Sequence, residues 1–290
     1  MLRQDVQCSP PPGSGEGLAE GARGRNDNSY RGFDMSALSA APLALLCAVP
    51  FEGEQLARAL EEPLEVSIGR KAAQRGTLDG VPVVLFPVGM GKTNAAQGLT
   101  ALLERQALRG VIGFGVGGAY PGAELEVAAV ALASHEVYAD EGVATPRGWL
   151  STEGIGIPLL QRGELRRFND FPLDADRVAA AERALAQAGI AARVGPFATV
   201  SCCSGTAARG VELAQRFGAI CESMEGAALA HVCELYGVPF LEVRGISNAV
   251  EDRDLSRWRL AGAASAAARA VRTLVRHHSF LFPHSPFLCS

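Results

Sequence analysis

The stretch SMEGAALAHVCELYG, residues 223–237, runs directly into VPFLEVRGIS, residues 238–247. The first half reads as a helix that Gly237 stops, with Pro239 just beyond. The second half is a short, nearly continuous apolar run, the pattern of a strand covered on both faces. Helix, short connection, buried strand is the repeating unit of an α/β sheet, and the same alternation recurs along the chain.

Leu43 to Val49 is a first buried strand, and EGEQLARALEE (52–62) follows with Leu56 and Leu60 at helical spacing. VPVVLFPVG (81–89) is a second strand, followed by the helical KTNAAQGLTALLERQAL (92–108). GVIGFGVGG (110–118) reads as a strand entering a glycine turn, and LEVAAVALASHEVY (125–138) as a fourth strand. After a loop-rich stretch come a helix at 175–189, a strand at 195–202, a helix at 206–218, the 223–247 unit, and a closing helix at 257–278. This order predicts a single-domain, three-layer α/β/α sandwich with a mixed, mainly parallel central sheet.

The domain is expected over residues 38–278, with a disordered N-terminal tail at 1–37 and a C-terminal tail at 279–290. The first tail is rich in Gly, Pro, Ser and Asn without an apolar period, and Met35 is a plausible alternative start for the folded part. The 290 residues are 48% hydrophobic and carry a net charge of −4, which disfavours nucleic acid as a partner. Seven cysteines, an odd number, form no disulfide framework, and no Cys-x-x-Cys pairs with histidine at metal-ligand spacing. A reduced, cytoplasmic protein without metal or cofactor is expected. No stretch is long enough to span a membrane.

In parallel sheets ligands gather where strands run out into loops. At the first such exit, Glu52 is a candidate acid/base group whose pKa burial raises; the plainer reading is a helix-start glutamate, as for Glu54. At the second, Gly-Lys-Thr imitates a phosphate loop, but position 86, where that motif needs glycine, is Phe86, so Lys92 reads as a helix-start surface residue. At the third, four glycines within 113–118 offer bare backbone to a small ligand, and a dinucleotide site is not expected. In the 223–237 helix, Ser223 is expected as the cap, with Met224 and Glu225 in the first turn, where the dipole keeps a carboxylate ionised and two ribose hydroxyls can donate to it. His231, Cys202, Cys203, Cys221 and Cys233 read as core residues. Asn248 closes the last strand; it either caps a turn or uses its amide on the ring nitrogen and exocyclic group of a purine.

From about Ala44 to Arg276 the chain resembles the nucleoside phosphorylase/hydrolase superfamily, through SMEGAALAHVC followed by GVPFLEVRGISN. GVGGAYPGAEL, EVYADEGVATPRGWLS, SCCSGTAAR and ISNAVEDRDLSRW resemble its futalosine-hydrolysing branch. The resemblance implies a nucleoside as the small-molecule partner and a homodimer or larger homo-oligomer, with the apolar surface around GVGGAYP as a possible contact. Glu52 would activate water, Glu225 bind the ribose hydroxyls with Met224 and Ser223 beside it, and Val116 and Gly117 line a glycine turn beside ribose and base. Asn248 stands where the adenine-specific relatives carry an aspartate, which implies hypoxanthine as the leaving group. Phosphorylase relatives carry a Gly-Asp-Pro-x-Arg phosphate site where this chain reads VPFEG. The rival activity is adenine release from methylthioadenosine, S-adenosylhomocysteine or aminodeoxyfutalosine. Arg147, Arg253 and Arg257 are open candidates for a substrate carboxylate.

Overall fold

The computed structural model describes residues 41–283. The expected tail at 1–37 and the alternative start at Met35 lie outside them. The predicted sandwich is present. Strand β1 (Leu43–Cys47) has every residue buried. Its alternate side chains serve two cores: Leu43, Leu45 and Cys47 enter one, Ala44 and Leu46 the other. A period of two on a strand buried on both faces requires this division.

Around β1 lie helix α1 (Pro50–Ala59), a hairpin of β2 (Glu61–Ile68) and β3 (Lys71–Leu78), then β4 (Val81–Pro87), α2 (Lys92–Leu103), β5 (Gly110–Ala119) and β6 (Val130–Tyr138). Next come the small pairs β7 (Gly142–Thr145) with β8 (Gly148–Ser151) and β9 (Leu160–Arg162) with β10 (Leu165–Arg167), and then β11 (Asp170–Pro172). They are followed by α3 (Ala175–Gln187), β12 (Ala192–Thr199), α4 (Ala207–Phe217), β13 (Cys221–Ser223), α5 (Gly226–Tyr236) and β14 (Phe240–Ala249). A 3-10 turn (Leu255–Arg257), α6 (Leu260–Arg276) and α7 (His278–Leu281) complete the chain.

The main sheet runs β11-β6-β12-β13-β5-β1-β4-β3-β2, and β14 pairs with both β5 and β6. That double pairing closes β5, β14, β6, β12 and β13 into a ring beside the open part of the sheet. The pairs β1/β4, β1/β5, β5/β14, β6/β12 and β12/β13 are parallel. Antiparallel pairing enters through the β2–β3 hairpin, the edge strand β11, the short β13 and the ring closure of β14 on β6. One core packs α1, α3 and α6 on the sheet; the other packs α2 and α5. The C-terminal limit expected at residue 278 falls short: Leu281 and Phe282 are buried in the first core, with the Phe282 ring filling the space left by Gly110.

A candidate nucleosidase site

Glu52 sits in the first turn of α1, and Pro50 at the helix start fixes its entry. The side chain turns back: Oε2 accepts from the backbone N–H of Ala48 (2.9 Å) and Val49 (3.1 Å), and Oε1 from Val116 N–H (2.8 Å). It is thus both the helix-start glutamate of the plainer reading and a buried carboxylate, 3% exposed. Burial pushes its pKa up, against the pull of the Arg244 guanidinium and the N–H groups of Val116 and Val49. Neighbouring Cys47 is pushed well up by burial and by Glu52, so its thiol stays protonated.

Arg244, 2% exposed, organises the floor of the site. Its Nε donates to Glu242 Oε1 (2.7 Å), Nη1 to Val116 O (3.1 Å) and Nη2 to Glu225 Oε2 (3.2 Å). Glu225 Oε1 accepts in turn from Gly91 N–H (2.9 Å), at the exit of β4. One guanidinium and one peptide unit, Val116, therefore tie Glu52 to Glu225, two carboxylates that the sequence separates by more than half the chain. Beneath them Glu136 and Glu242 are fully buried and face each other below Gly226, where any side chain would collide with both. Burial and the Glu242 charge push the pKa of Glu136 far up, and burial raises that of Glu242 against the pull of Arg244, so the facing pair retains a proton.

The predicted residues converge, with corrections. Glu225 occupies the cap position of α5 rather than its first turn, and Arg244 and Gly91 hold it. Ser223 ends β13 and does not cap the helix. Thr199 Oγ1 does that work from β12, accepting Ala227 N–H (2.8 Å), with Ser223 Oγ 3.4 Å away. Val116 and Gly117 lie inside a continuous β5, not in a turn, because β14 pairs alongside through Ala249. Val116 serves through its backbone. Gly113, Gly115 and Gly118 do fall at Gly-x-Gly-x-x-Gly spacing, yet inside a strand, where no helix N-terminus waits to receive a pyrophosphate. Met224 is half-buried at the same end of the sheet. Asn248 is half-buried; Nδ2 donates to Ala249 O (2.9 Å) and Oδ1 lies 2.8 Å from Ser247 Oγ.

Lys92 is no free surface residue: it pairs with Asp140 (2.5 Å) and Glu141 (2.8 Å), which raise its pKa against burial. His231 stacks on Phe171 and lies 3.3 Å from Tyr138 Oη, a structural placement. Cys221 and Cys233 are buried as expected, but Cys202 and Cys203 are exposed, because β12 ends at Thr199 and the chain leaves the core before reaching them. Within GVGGAYP, Ala119 and Tyr120 are buried, whereas Val116 is half-buried and Pro121 exposed. Among the described residues, no group of three or more His, Cys, Asp or Glu is placed to hold a metal, and no helix is long and apolar enough to cross a membrane.

Arg244, Glu242, Glu136 and Thr199 escaped the sequence reading. A signal existed for the first two: Glu242 and Arg244 alternate within an otherwise apolar strand, and such residues are buried there only when paired.

The strand exits thus place a buried carboxylate at Glu52, a second at Glu225 tied to it through Arg244 and Val116, and the amide of Asn248 at the end of β14. The chain belongs to the phosphorylase superfamily, whose family model matches residues 42–276. Within it the similarity is to hydrolases of the N-glycosidic bond. The chain is 39% identical over 203 residues to futalosine hydrolase of Thermus thermophilus, covering 70% of this chain and 85% of that protein. It is 34% identical over 241 residues to futalosine hydrolase of Streptomyces coelicolor, covering 80% and 94%. It is also 34% identical over 208 residues to 5'-methylthioadenosine/S-adenosylhomocysteine nucleosidase of Geobacillus thermodenitrificans, covering 71% and 83%. Among solved structures, that nucleosidase from Neisseria meningitidis, in complex with methylthio-immucillin-A, superposes with a TM-score of 0.71 at 26% identity over 81% of this chain and 99% of its own. The protein is an N-glycosyl hydrolase of this superfamily.

Proposed function

We propose that the enzyme hydrolyses the N-ribosidic bond of futalosine, releasing hypoxanthine and dehypoxanthine futalosine, a step of menaquinone biosynthesis in the cytoplasm. The observation that carries hydrolysis rather than phosphorolysis is the seat of Glu52. Its carboxylate occupies the N–H groups of Ala48 and Val49 that an incoming phosphate would need, and its charge repels one. Water therefore attacks the anomeric carbon, giving its proton to Glu52, as the ribosyl group passes through an oxocarbenium-like state. Glu225 accepts from the ribose hydroxyls and Arg244 keeps it oriented. Asn248 donates to the departing purine, whose negative charge it offsets.

Two relatives bearing the futalosine hydrolase name support this substrate. The rival reading, release of adenine from methylthioadenosine or a similar nucleoside, is favoured by the nucleosidase relatives and opposed by Asn248, which has no acid proton for N7. Of the arginines considered for the carboxylate of futalosine, Arg257 is engaged by Glu251 (2.5 Å) and Arg147 lies in the turn between β7 and β8. Arg253 lies over the Trp258 ring at 4.8 Å, and its backbone N–H is bonded to Gly205 at the site's rim; it is the choice here. A homodimer or larger assembly belongs to the same reading.

Chromatography of the purine released from futalosine, aminodeoxyfutalosine, methylthioadenosine and inosine in phosphate-free buffer tests the proposal. Hypoxanthine from futalosine is expected. Adenine from methylthioadenosine instead, or turnover only after phosphate is added, overturns it.

A further inference from the structure

One guanidinium, Arg244, faces four carboxylates, Glu52, Glu225, Glu242 and Glu136, none of them more than 3% exposed. Glu52 and Glu225 have work in the chemistry above, whereas Glu242 and Glu136 have none. Buried charges are tolerated when paired, and one cation cannot pair four anions. The other groups packed around Glu136 and Glu242 bring no second cation. They are Thr199 of β12, Glu225 at the start of α5, Tyr138 further along β6, and Cys221 of β13, whose thiol burial keeps protonated. The excess of negative charge has to be met by a proton.

The hydrogen bonds say where that proton sits. Glu242 Oε1 accepts from Arg244 Nε (2.7 Å), and Glu136 Oε2 from Thr199 Oγ1 (3.3 Å). The second oxygen of each, Glu242 Oε2 and Glu136 Oε1, is buried and receives no donor. Two ionised carboxylates cannot satisfy one another, because both only accept. A single proton between them satisfies both orphaned oxygens, and the two side chains are within hydrogen-bonding reach. Arg244 holds the charge on Glu242, whereas Glu136 has only a neutral hydroxyl beside it, so the proton belongs to Glu136 Oε1. Two glycines make room for the pair. A Cβ on Gly226 would lie within 2.6 Å of an oxygen of each, and one on Gly113 3.0 Å from Glu242 Oε2.

Resting on the reading of Glu52 and Glu225 as the reacting and ribose-binding carboxylates, we infer that Glu136 is a positioning residue: a neutral acid that donates its proton to Glu242 and so fixes Arg244 beneath both of them. It reaches Glu225 by two routes. Thr199 Oγ1 also accepts Ala227 N–H in the helix that Glu225 begins (2.8 Å), and Arg244, held by Glu242, donates to Glu225 Oε2 (3.2 Å). An ionised Glu136 would set two like charges face to face in a low-dielectric interior. A side chain without a donor would leave Glu242 Oε2 unsatisfied. Either change loosens Arg244, and with it the geometry of Glu225 and of the Val116 peptide that holds Glu52.

The test joins a spectrum to a variant series on the full-length enzyme. Infrared spectroscopy at mildly alkaline pH is expected to show the C=O stretch of a neutral carboxyl in the wild type, lost in Glu136→Gln. Purine release from futalosine is then measured well below each variant's thermal midpoint. Glu136→Leu, close in volume but without a donor, should lower kcat/KM roughly 10–100-fold, the range for a hydrogen bond to a charged group. Glu136→Asp, which keeps the acid but falls short of Glu242, should lose as much. Glu136→Gln, which puts an uncharged donor in the same place, should recover most of the loss. Absence of the band in the wild type, or its persistence in Glu136→Gln, overturns the shared proton. Leu performing as well as Gln means that Glu136 only fills space, and Asp outperforming Gln means that its charge is what counts; both overturn the inference. A wild type that shows the band but releases no purine defeats the parent reading, and the positioning role with it, while the shared proton stands.

Discussion

At the scale of single residues, Glu52 carries opposed demands. In its proposed role as a base it must be ionised, yet it is buried, and three backbone N–H groups and Arg244 are what keep the charge tolerable. Removing that charge by Glu52→Gln preserves the shape and most of the hydrogen-bond geometry, and kcat is expected to fall on the order of 10²–10³-fold with little change in KM; full activity in a purine-release assay excludes the role. The direction of the pH effect follows from the sign of the shift. Only the ionised form accepts a proton from water, and its pKa is raised, so kcat/KM should fall on acidification through a value above the ordinary carboxylate range. Arg244→Met, which removes the stabilising cation, should move that acid limb further up. A pH–rate profile in which the limb stays put speaks against Glu52 as the titrating base.

At the scale of elements, the site depends on close approach between backbones. Gly245 in β14 lies against Ala263 in α6, and a methyl group on it would collide with the Ala263 carbonyl. Helix α6 is lined by Ala263, Ala264, Ala266, Ala267, Ala268 and Ala270, small residues that bring it down onto the sheet. Gly245 and Ala263 are two halves of one contact, and β14 is the strand that carries Glu242, Arg244 and Asn248. Gly245→Ala is expected to destabilise the fold by about 1–3 kcal/mol through overpacking, a drop of several degrees in thermal midpoint. It should also weaken catalysis out of proportion, because the displaced strand takes Arg244 with it. An unchanged midpoint by scanning calorimetry contradicts this packing.

At the scale of the whole molecule, the parallel run of β4, β1, β5 and β14 brings the exits of these strands to one end. Asp79, in the turn between β3 and β4, adds a peripheral clamp by pairing with Arg272 and Arg276 of α6; these guanidinium groups hold its carboxyl down at about 2. Apolar side chains remain exposed in and after the β7–β8 hairpin, at Val143, Leu150, Ile155 and Ile157, and the proposed assembly would cover them. Light scattering should give a particle of at least twice the 30.3 kDa chain mass. A 30.3 kDa species across micromolar concentrations removes the assembly from the proposal.

The strand and helix order was legible because two periodicities write it plainly: continuous apolar runs at 43–49, 81–89 and 110–118, and helical spacing between them. The hairpin at 61–78 was not, since β2 is an exposed strand whose EEPLEVSI has no buried run to announce it. Glu52, Glu225 and Asn248 stood out as candidates, because each stands at an element boundary where a local break in apolar character marks it.

What the sequence by itself determined is therefore the class of fold and the residues sitting at the strand exits. What only the tertiary structure decided is how they are linked. Arg244 joins Glu52 to Glu225, Thr199 caps α5 from another strand, and Glu136 faces Glu242 below Gly226. The physical reason is that chain-local patterns record burial and backbone preference, whereas hydrogen bonds between strands far apart in sequence depend on sheet order and register, which no single segment encodes.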